Sequence, residues 1–349
     1  MRVLLVFLIC MLLLAPVFAQ GESNTLTLVT HDSFAVSENV LAQFEEETGI
    51  TVEILRSGDA GTMVNQAILS KENPQGDVLY GVDNTFLSRA LNADLFIPYE
   101  SPLLADVPEE FILDPEHRVT PVDYGDVCLN YDVSYFEENA LPVPESLADL
   151  TDPRYKGLLV VENPATSSPG LAFLLTTVAG FGAEGDYTYL DYWADLVEND
   201  VLIANDWTDA YFGQFSGSTG SEGTRPLVVS YASSPPVEVY FMETLPETPP
   251  TASIVADGMC FRQIEFVGIL DGTDNPEAAR QFVDFMLSVP FQEDMPLQMF
   301  VYPVNSEAEL PDVFVEFSAV PENPVYMDID EIDANREEWI QAWTETVLR

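Results

Sequence analysis

Lysine is almost missing from this chain. Only Lys71 and Lys156 occur, and with the arginines they make 12 basic residues against 59 acidic ones, a formal net charge of −47 over 349 residues. A body of that sign repels nucleic acid and anionic membrane surfaces, which excludes both as partners. Small cations are attracted instead, although a solvated acidic surface suited to a salty or acidic habitat accounts for most of such a charge. Histidine is equally scarce: His31 and His117 stand alone, and no Cys/His spacing resembles a zinc site, so neither a metal nor another cofactor is expected. The Gly-x-Ser-x-Gly elbow, the P-loop and the dinucleotide fingerprint are absent, which removes the enzyme classes they mark. Pairs of carboxylates are unavoidable at this acidity and carry no weight as a glycosidase signal.

Long apolar runs are missing too, except at the start. Residues 3–15 are almost wholly apolar after Arg2, and Val17-Phe18-Ala19 before Gln20 forms a small-residue cleavage site, so residues 1–19 read as a signal peptide. Cys10 follows Ile9 rather than a small residue, so no lipid-attachment motif is evident. Later stretches fall short of the ~18 uncharged apolar residues of a membrane span. An exported body without an anchor needs an enclosing compartment, and a periplasmic location is expected. Two cysteines then remain, Cys128 and Cys260, in a compartment that permits disulfides. A bridge between them is favoured over two buried thiols, and it would contribute a few kcal/mol through loop entropy.

About 330 residues after the leader are enough for two domains. Thr25–Thr30 alternates like a strand, Val40, Leu41 and Phe44 follow at helical spacing before Gly49, and 50–55 is again strand-like. A stripe of Met63, Val64, Ala67 and Ile68 leads to a third strand at 77–82. The alternation recurs between 127 and 259. There a helix is predicted to start with Ser168 as N-cap and Pro169 in its first turn and to end at Gly180, and another to carry Tyr189, Trp193 and Leu196. A strand at 260–270, a helix opened by Asn275-Pro276-Glu277 and a final helix over 330–347 complete the chain, the last contributing Trp339 and Trp343 to the core. The fold class is α/β with mainly parallel, doubly wound sheets.

In open α/β sheets ligands sit beyond the carboxyl ends of strands. The loops predicted there hold His31-Asp32-Ser33-Phe34, Gly58-Asp59-Ala60, Gly81-Val82-Asp83-Asn84, Thr166-Ser167-Ser168, Asp206-Trp207-Thr208 and Tyr231 to Ser234, which together describe an aromatic and acidic cleft. Those loops, with Asp123-Tyr124-Gly125, Ser167-Ser168-Pro169-Gly170, Trp207-Thr208-Asp209-Ala210-Tyr211, Tyr231-Ala232-Ser233-Ser234-Pro235 and Tyr302-Pro303-Val304, follow the order found in thiamine-binding periplasmic proteins. The chain resembles that family, the substrate-binding components of thiamine ABC transporters, over nearly all of its mature length.

The resemblance implies a two-lobed, type II-like binding protein: lobe 1 from 20–126 plus 261–349, lobe 2 from 127–260, joined by hinge strands near 123–130 and 260–266. On this basis Cys128 and Cys260 would lie on neighbouring strands. Thiamine would be held between the lobes and passed to a permease, by a monomer without catalytic residues. The ligand contacts implied are His31, Asp32, Asp59, Ala60, Asp83, Ser167, Ser168, Trp207, Tyr231, Ala232, Ser233, Ser234 and Phe300. Trp207 and Tyr231 would lie over the cationic thiazolium ring, and Asp59 would pair with its charge or accept from the pyrimidine amine. His31 stands where the family commonly has tyrosine, and Glu38 lies near the place of an expected tryptophan. Phosphorylated thiamine should therefore bind less well, with Glu38 repelling phosphate if it faces the cleft. Two rival readings remain: a thiaminase-like enzyme on the same scaffold using Cys128 as nucleophile, and a carrier of another cation, iron or a polyamine. Iron capture commonly uses adjacent tyrosines, and the chain has no Tyr-Tyr pair.

Overall fold

The computed structural model describes residues 25–242 and 244–349; the predicted leader and Cys10 lie outside them. Eleven strands form one continuous sheet among the described residues: β1 (Thr25–Thr30), β2 (Thr51–Arg56), β3 (Val78–Asp83), β4 (Phe96–Ile97), β5 (Thr120–Asp132), β6 (Leu159–Glu162), β7 (Leu202–Ala204), β8 (Leu227–Tyr231), β9 (Thr251–Ile254), β10 (Phe261–Leu270) and β11 (Tyr302–Pro303). The main path runs β2-β1-β3-β10-β5-β8-β6-β7. At one end β2, β1 and β3 are parallel, and at the other β8, β6 and β7 are parallel. Between them β10 and β5 pair antiparallel with each other and with the flanking strands, so two long strands carry the chain between two parallel groups. The α/β class and the two parallel groups are as the sequence predicts, but the groups belong to one mixed sheet whose central pairings are antiparallel.

The strands differ as their positions demand. β3 is buried along its whole length, as a strand covered on both faces must be, whereas the edge strand β2 is largely exposed and carries Glu53 and Arg56. The helices needed below are α1 (Glu38–Thr48), α2 (Ala60–Leu69), α3 (Leu87–Asn92), α4 (Val133–Glu138), α5 (Ser168–Phe181) and α6 (Tyr189–Glu198), with the long C-terminal helix at Ile329–Val347. α1 ends as expected at Gly49, whose φ of 73° lets its amide reach the Glu45 carbonyl. α5 is apolar on all sides and buried from Ser168 to Val178, so it forms the centre of the core rather than a surface layer.

Two expectations about α5 are corrected. Its N-cap is Ser167, one residue before the predicted cap, and it continues past Gly180 to end at Gly182, whose φ is 74°. The C-terminal helix buries Trp339 and Trp343 as expected, but it packs on both α3 and α6. Trp343 meets Trp193 of α6 edge-on, with ring centroids 5.5 Å apart. Residues assigned from the sequence to the first group of strands therefore also brace the second.

Candidate functional site

The two parallel groups run in opposite directions across β10 and β5, and the loops leaving the carboxyl ends of β1, β2, β6, β7 and β8 line a cavity of about 260 Å³. Of the sequence-predicted residues, His31, Asp59, Ala60, Ser168, Trp207, Tyr231, Ser234 and Phe300 line it. Asp32, Asp83, Ser167, Ala232 and Ser233 are not in its lining. Each of these has a different position. Asp32 is exposed and ties two loops together, its Oδ1 accepting from the Gly58 amide at 3.0 Å. Ala232 is buried beside Cys128 and Cys260, with its backbone bonded to Asp126 and Ala319. Ser233 donates its hydroxyl to the Phe300 carbonyl at 2.7 Å. That bond holds Phe300 in the left-handed region, at φ 54°, a conformation costly for an aromatic residue unless its surroundings enforce it.

The aromatic wall is built in layers. Tyr211 is fully buried and stacks on one face of Trp207 at 5.1 Å and 18°, while Phe212 meets the indole edge-on at 5.4 Å. Trp207 Nε1 donates to Ser230 Oγ at 2.9 Å, and Ser230 in turn shares a 3.0 Å hydrogen bond with Ser234 Oγ. Trp207 is thus both the partner of a core aromatic and a wall of the cavity. Tyr231 lies over Gly125: a Cβ there would come within 2.7 Å of its ring, so the glycine of Asp123-Tyr124-Gly125 makes room for the tyrosine. Its hydroxyl donates to Gln263 at 3.1 Å.

The polar side is acidic and largely buried. Asp59 caps α2, its Oδ1 accepting from the Ala60 amide at 2.7 Å. The Ser167 hydroxyl and the Trp207 backbone lie close enough to the carboxyl to favour its charged form. Burial raises the Asp59 carboxyl above its usual range, against the pull of the Ala60 amide. Ser168 donates to Asp83 instead of capping its helix, and Asp83 also accepts from the Thr85 amide at 2.7 Å. Burial pushes Asp83 up to about 6 despite those donors. His31 packs over Gly81, whose φ is +99° and where a Cβ would lie 2.2 Å from the imidazole. Its Nε2 lies 3.4 Å from Glu265 Oε1. Burial works against a charged imidazole there, yet the Glu265 carboxylate holds it above its ordinary value.

Glu265, Phe212 and Met299 line the cavity and are absent from the sequence-derived set. Glu265 had a readable signal: it is a lone acid in the otherwise mostly apolar run Phe261–Leu270. Glu38 is exposed on α1 and outside the lining, so the expected repulsion of a phosphate by Glu38 has no geometric basis. Two quoted motifs serve the crossing strands instead of the cavity. Tyr124 stacks between Phe111 and Tyr302, and Arg262 lies 4.8 Å over the Tyr124 ring while donating to both Asp126 oxygens at 2.6 and 3.1 Å. Cys128 on β5 and Cys260 just before β10 form a disulfide, both nearly fully buried. No group of acids, histidines and cysteines able to hold a metal ion occurs among the described residues.

Sequence and structural relatives match nearly all of the chain. The thiamine-binding periplasmic protein of Escherichia coli (strain K12) is 28% identical over 342 residues, spanning 96% of this chain and 96% of its own length. The protein of the same name from Brucella suis biovar 1 is 29% identical over 346 residues, spanning 96% and 95%. A solved structure named periplasmic thiamin binding protein superposes with a TM-score of 0.81 at 25% identity, covering 93% of this chain and 96% of the other. The sequence pattern of the family described as "Bacterial extracellular solute-binding protein" matches residues 73–316, and to that family this chain belongs.

Proposed function

We propose that this protein captures thiamine in the cleft and delivers it to the permease of an ABC transporter. The observation that carries this reading is the pairing of a stacked indole, Trp207, with Asp59, a largely buried carboxyl, in the wall of a single cavity. Glu265 and His31 offset each other, so the lining retains the negative charge of Asp59, matched to the single positive charge of a thiazolium. A desolvated cation over an indole gains about 2 kcal/mol, and a charge-assisted hydrogen bond adds a comparable amount. Micromolar to nanomolar capture requires about 8 to 12 kcal/mol, within reach of such contacts when the walls are already ordered. Free thiamine is the preferred form, since a phosphate would meet Asp59 and Glu265.

The protein acts as a monomeric periplasmic carrier and not as an enzyme. No helix among the described residues is long and apolar enough to cross a membrane. The disulfide leaves Cys128 no free thiol, so a thiaminase-like nucleophile is missing at the one position the sequence offered. A thermal-shift panel of thiamine, thiamine phosphates, putrescine, spermidine and ferric citrate tests the reading. Thiamine should raise the melting temperature most. A larger shift with a polyamine or with iron, or none with thiamine, overturns it.

A further inference from the structure

Of the two carboxylates in the cavity wall, Asp59 answers the ligand's charge, whereas Glu265 so far only offsets His31 and disfavours anions. Its position is a costly one. On β10 it stands opposite Asp83 of β3 and Asp123 of β5, so three acids lie in a row across the middle of the sheet. Like charges directly opposite one another destabilise strand pairing. The ladder is also irregular at this point: β10 slips against β5 between Glu265 and Phe266, and against β3 between Phe266 and Val267. Bulges of this kind re-aim a side chain out of the regular alternation.

The surroundings keep Glu265 ionised and oriented. Its Oε2 is 3.1 Å from the Tyr80 hydroxyl, which also donates to Asp123 at 2.5 Å. Burial, reinforced by the Glu265 charge, pushes the Asp123 carboxyl well above its usual range, so of the two acids Asp123 is the one that favours the protonated form. Burial acts on Glu265 in the same sense and is the largest single influence, but His31 together with hydrogen bonds from Asp123 and Tyr80 outweighs it and holds Glu265 low. At 3.4 Å the contact between His31 Nε2 and Oε1 is long, and Glu265 lines the cavity, where a carboxylate can accept from a further donor.

We propose that Glu265, oriented by Tyr80 and His31, is a specificity residue of the cleft that accepts from an exocyclic amine on a cationic heterocycle and rejects ligands offering a carbonyl or an anion there. The inference rests on the thiamine reading and adds to it which edge of the ligand the protein reads. A buried acceptor aimed at a donor discriminates strongly, because the analogue without that donor leaves the carboxylate unpaired.

Calorimetry with thiamine and with oxythiamine, in which a carbonyl replaces the pyrimidine amine, tests it on the full mature chain. The wild type should bind thiamine at least tenfold more tightly than oxythiamine. In Glu265→Gln, whose amide can donate to a carbonyl, the ratio should fall to within threefold. Should that variant fail to fold by near-ultraviolet circular dichroism, Glu265→Asp keeps the charge but withdraws it by one methylene. It should weaken thiamine at least fivefold while changing oxythiamine less than twofold. Equal wild-type affinities, or a variant that weakens both ligands alike, overturn the role of Glu265 and leave the thiamine reading standing. A wild type that binds neither ligand overturns the thiamine reading and this inference together.

Discussion

Replacing Trp207 by alanine tests the cleft where its geometry is most constrained. The indole is held on three sides: Tyr211 stacked at 5.1 Å, Phe212 edge-on at 5.4 Å, and Ser230 accepting from Nε1 at 2.9 Å. It is therefore ordered before ligand arrives, and little of its interaction energy is lost to immobilising it. Removing the ring forfeits a desolvated cation–π contact of about 2 kcal/mol, which corresponds to roughly a 30-fold weaker thiamine dissociation constant. Trp207→Phe keeps an aromatic face with a weaker cation–π attraction and loses the donor to Ser230, so its affinity should fall between those of the wild type and the alanine variant. Isothermal titration calorimetry at 25 °C and physiological salt reads both, with the melting temperature of the ligand-free variants as a folding control. Because Tyr211 is anchored in its own cluster with Phe215 and Val228, the alanine variant should remain folded. A thiamine affinity of the Trp207→Ala variant within twofold of wild type refutes the placement of the cation over this ring, whatever else the cleft binds.

Asp83 supplies a pH dependence of known sign. Its folded value of about 6 lies above the 3.8 of an unperturbed carboxyl, so the folded state holds the proton more tightly. Its contribution to stability is fullest below about pH 4 and is lost as pH rises through 6, by roughly 3 kcal/mol. Urea unfolding at pH 4.5 and 7.5 should show Asp83→Asn gaining on the wild type at the higher pH; an equal difference at both values contradicts the assignment. The disulfide spans 132 residues, for which loop entropy gives about 5 kcal/mol, so a Cys128→Ser, Cys260→Ser double variant should unfold at clearly lower urea. An unchanged midpoint would mean that the bridge does not constrain the unfolded chain. Gly81→Ala should cost about 2 to 4 kcal/mol, since a methyl there meets His31 at 2.2 Å in a backbone region unsuited to alanine. A wild-type melting temperature for that variant would rule out the close packing of His31.

The sequence revealed what depends on local periodicity and turn chemistry, and it concealed what depends on register. β1, α1, β2 and the stripe of α2 were readable because alternation, helical spacing and Gly49 each act within a few residues. The loops at the strand ends could be located for the same reason, which is why His31, Asp59, Trp207 and Tyr231 meet in one cavity as expected. Three features were hidden. Ser168 looks like a cap by its neighbours, but its hydroxyl finds Asp83, 85 residues away, and the N-cap position is Ser167, whose side chain makes no capping bond. Ala232 and Ser233 belong to a segment whose outer members face the cavity, and only the folded chain shows that these two turn toward the disulfide and the Phe300 carbonyl. Glu265 was visible as an acid among apolar residues, but its meaning comes from Asp83 and Asp123 arriving opposite it on two other strands. A local reading counts a buried acid in a strand as an anomaly, whereas pairing turns it into one of a row of three that the fold surrounds with a tyrosine and an imidazole. A cost of that size at the floor of the cavity is intelligible if the carboxylate meets a ligand, since a purely structural acid there would be outperformed by an apolar residue of similar volume.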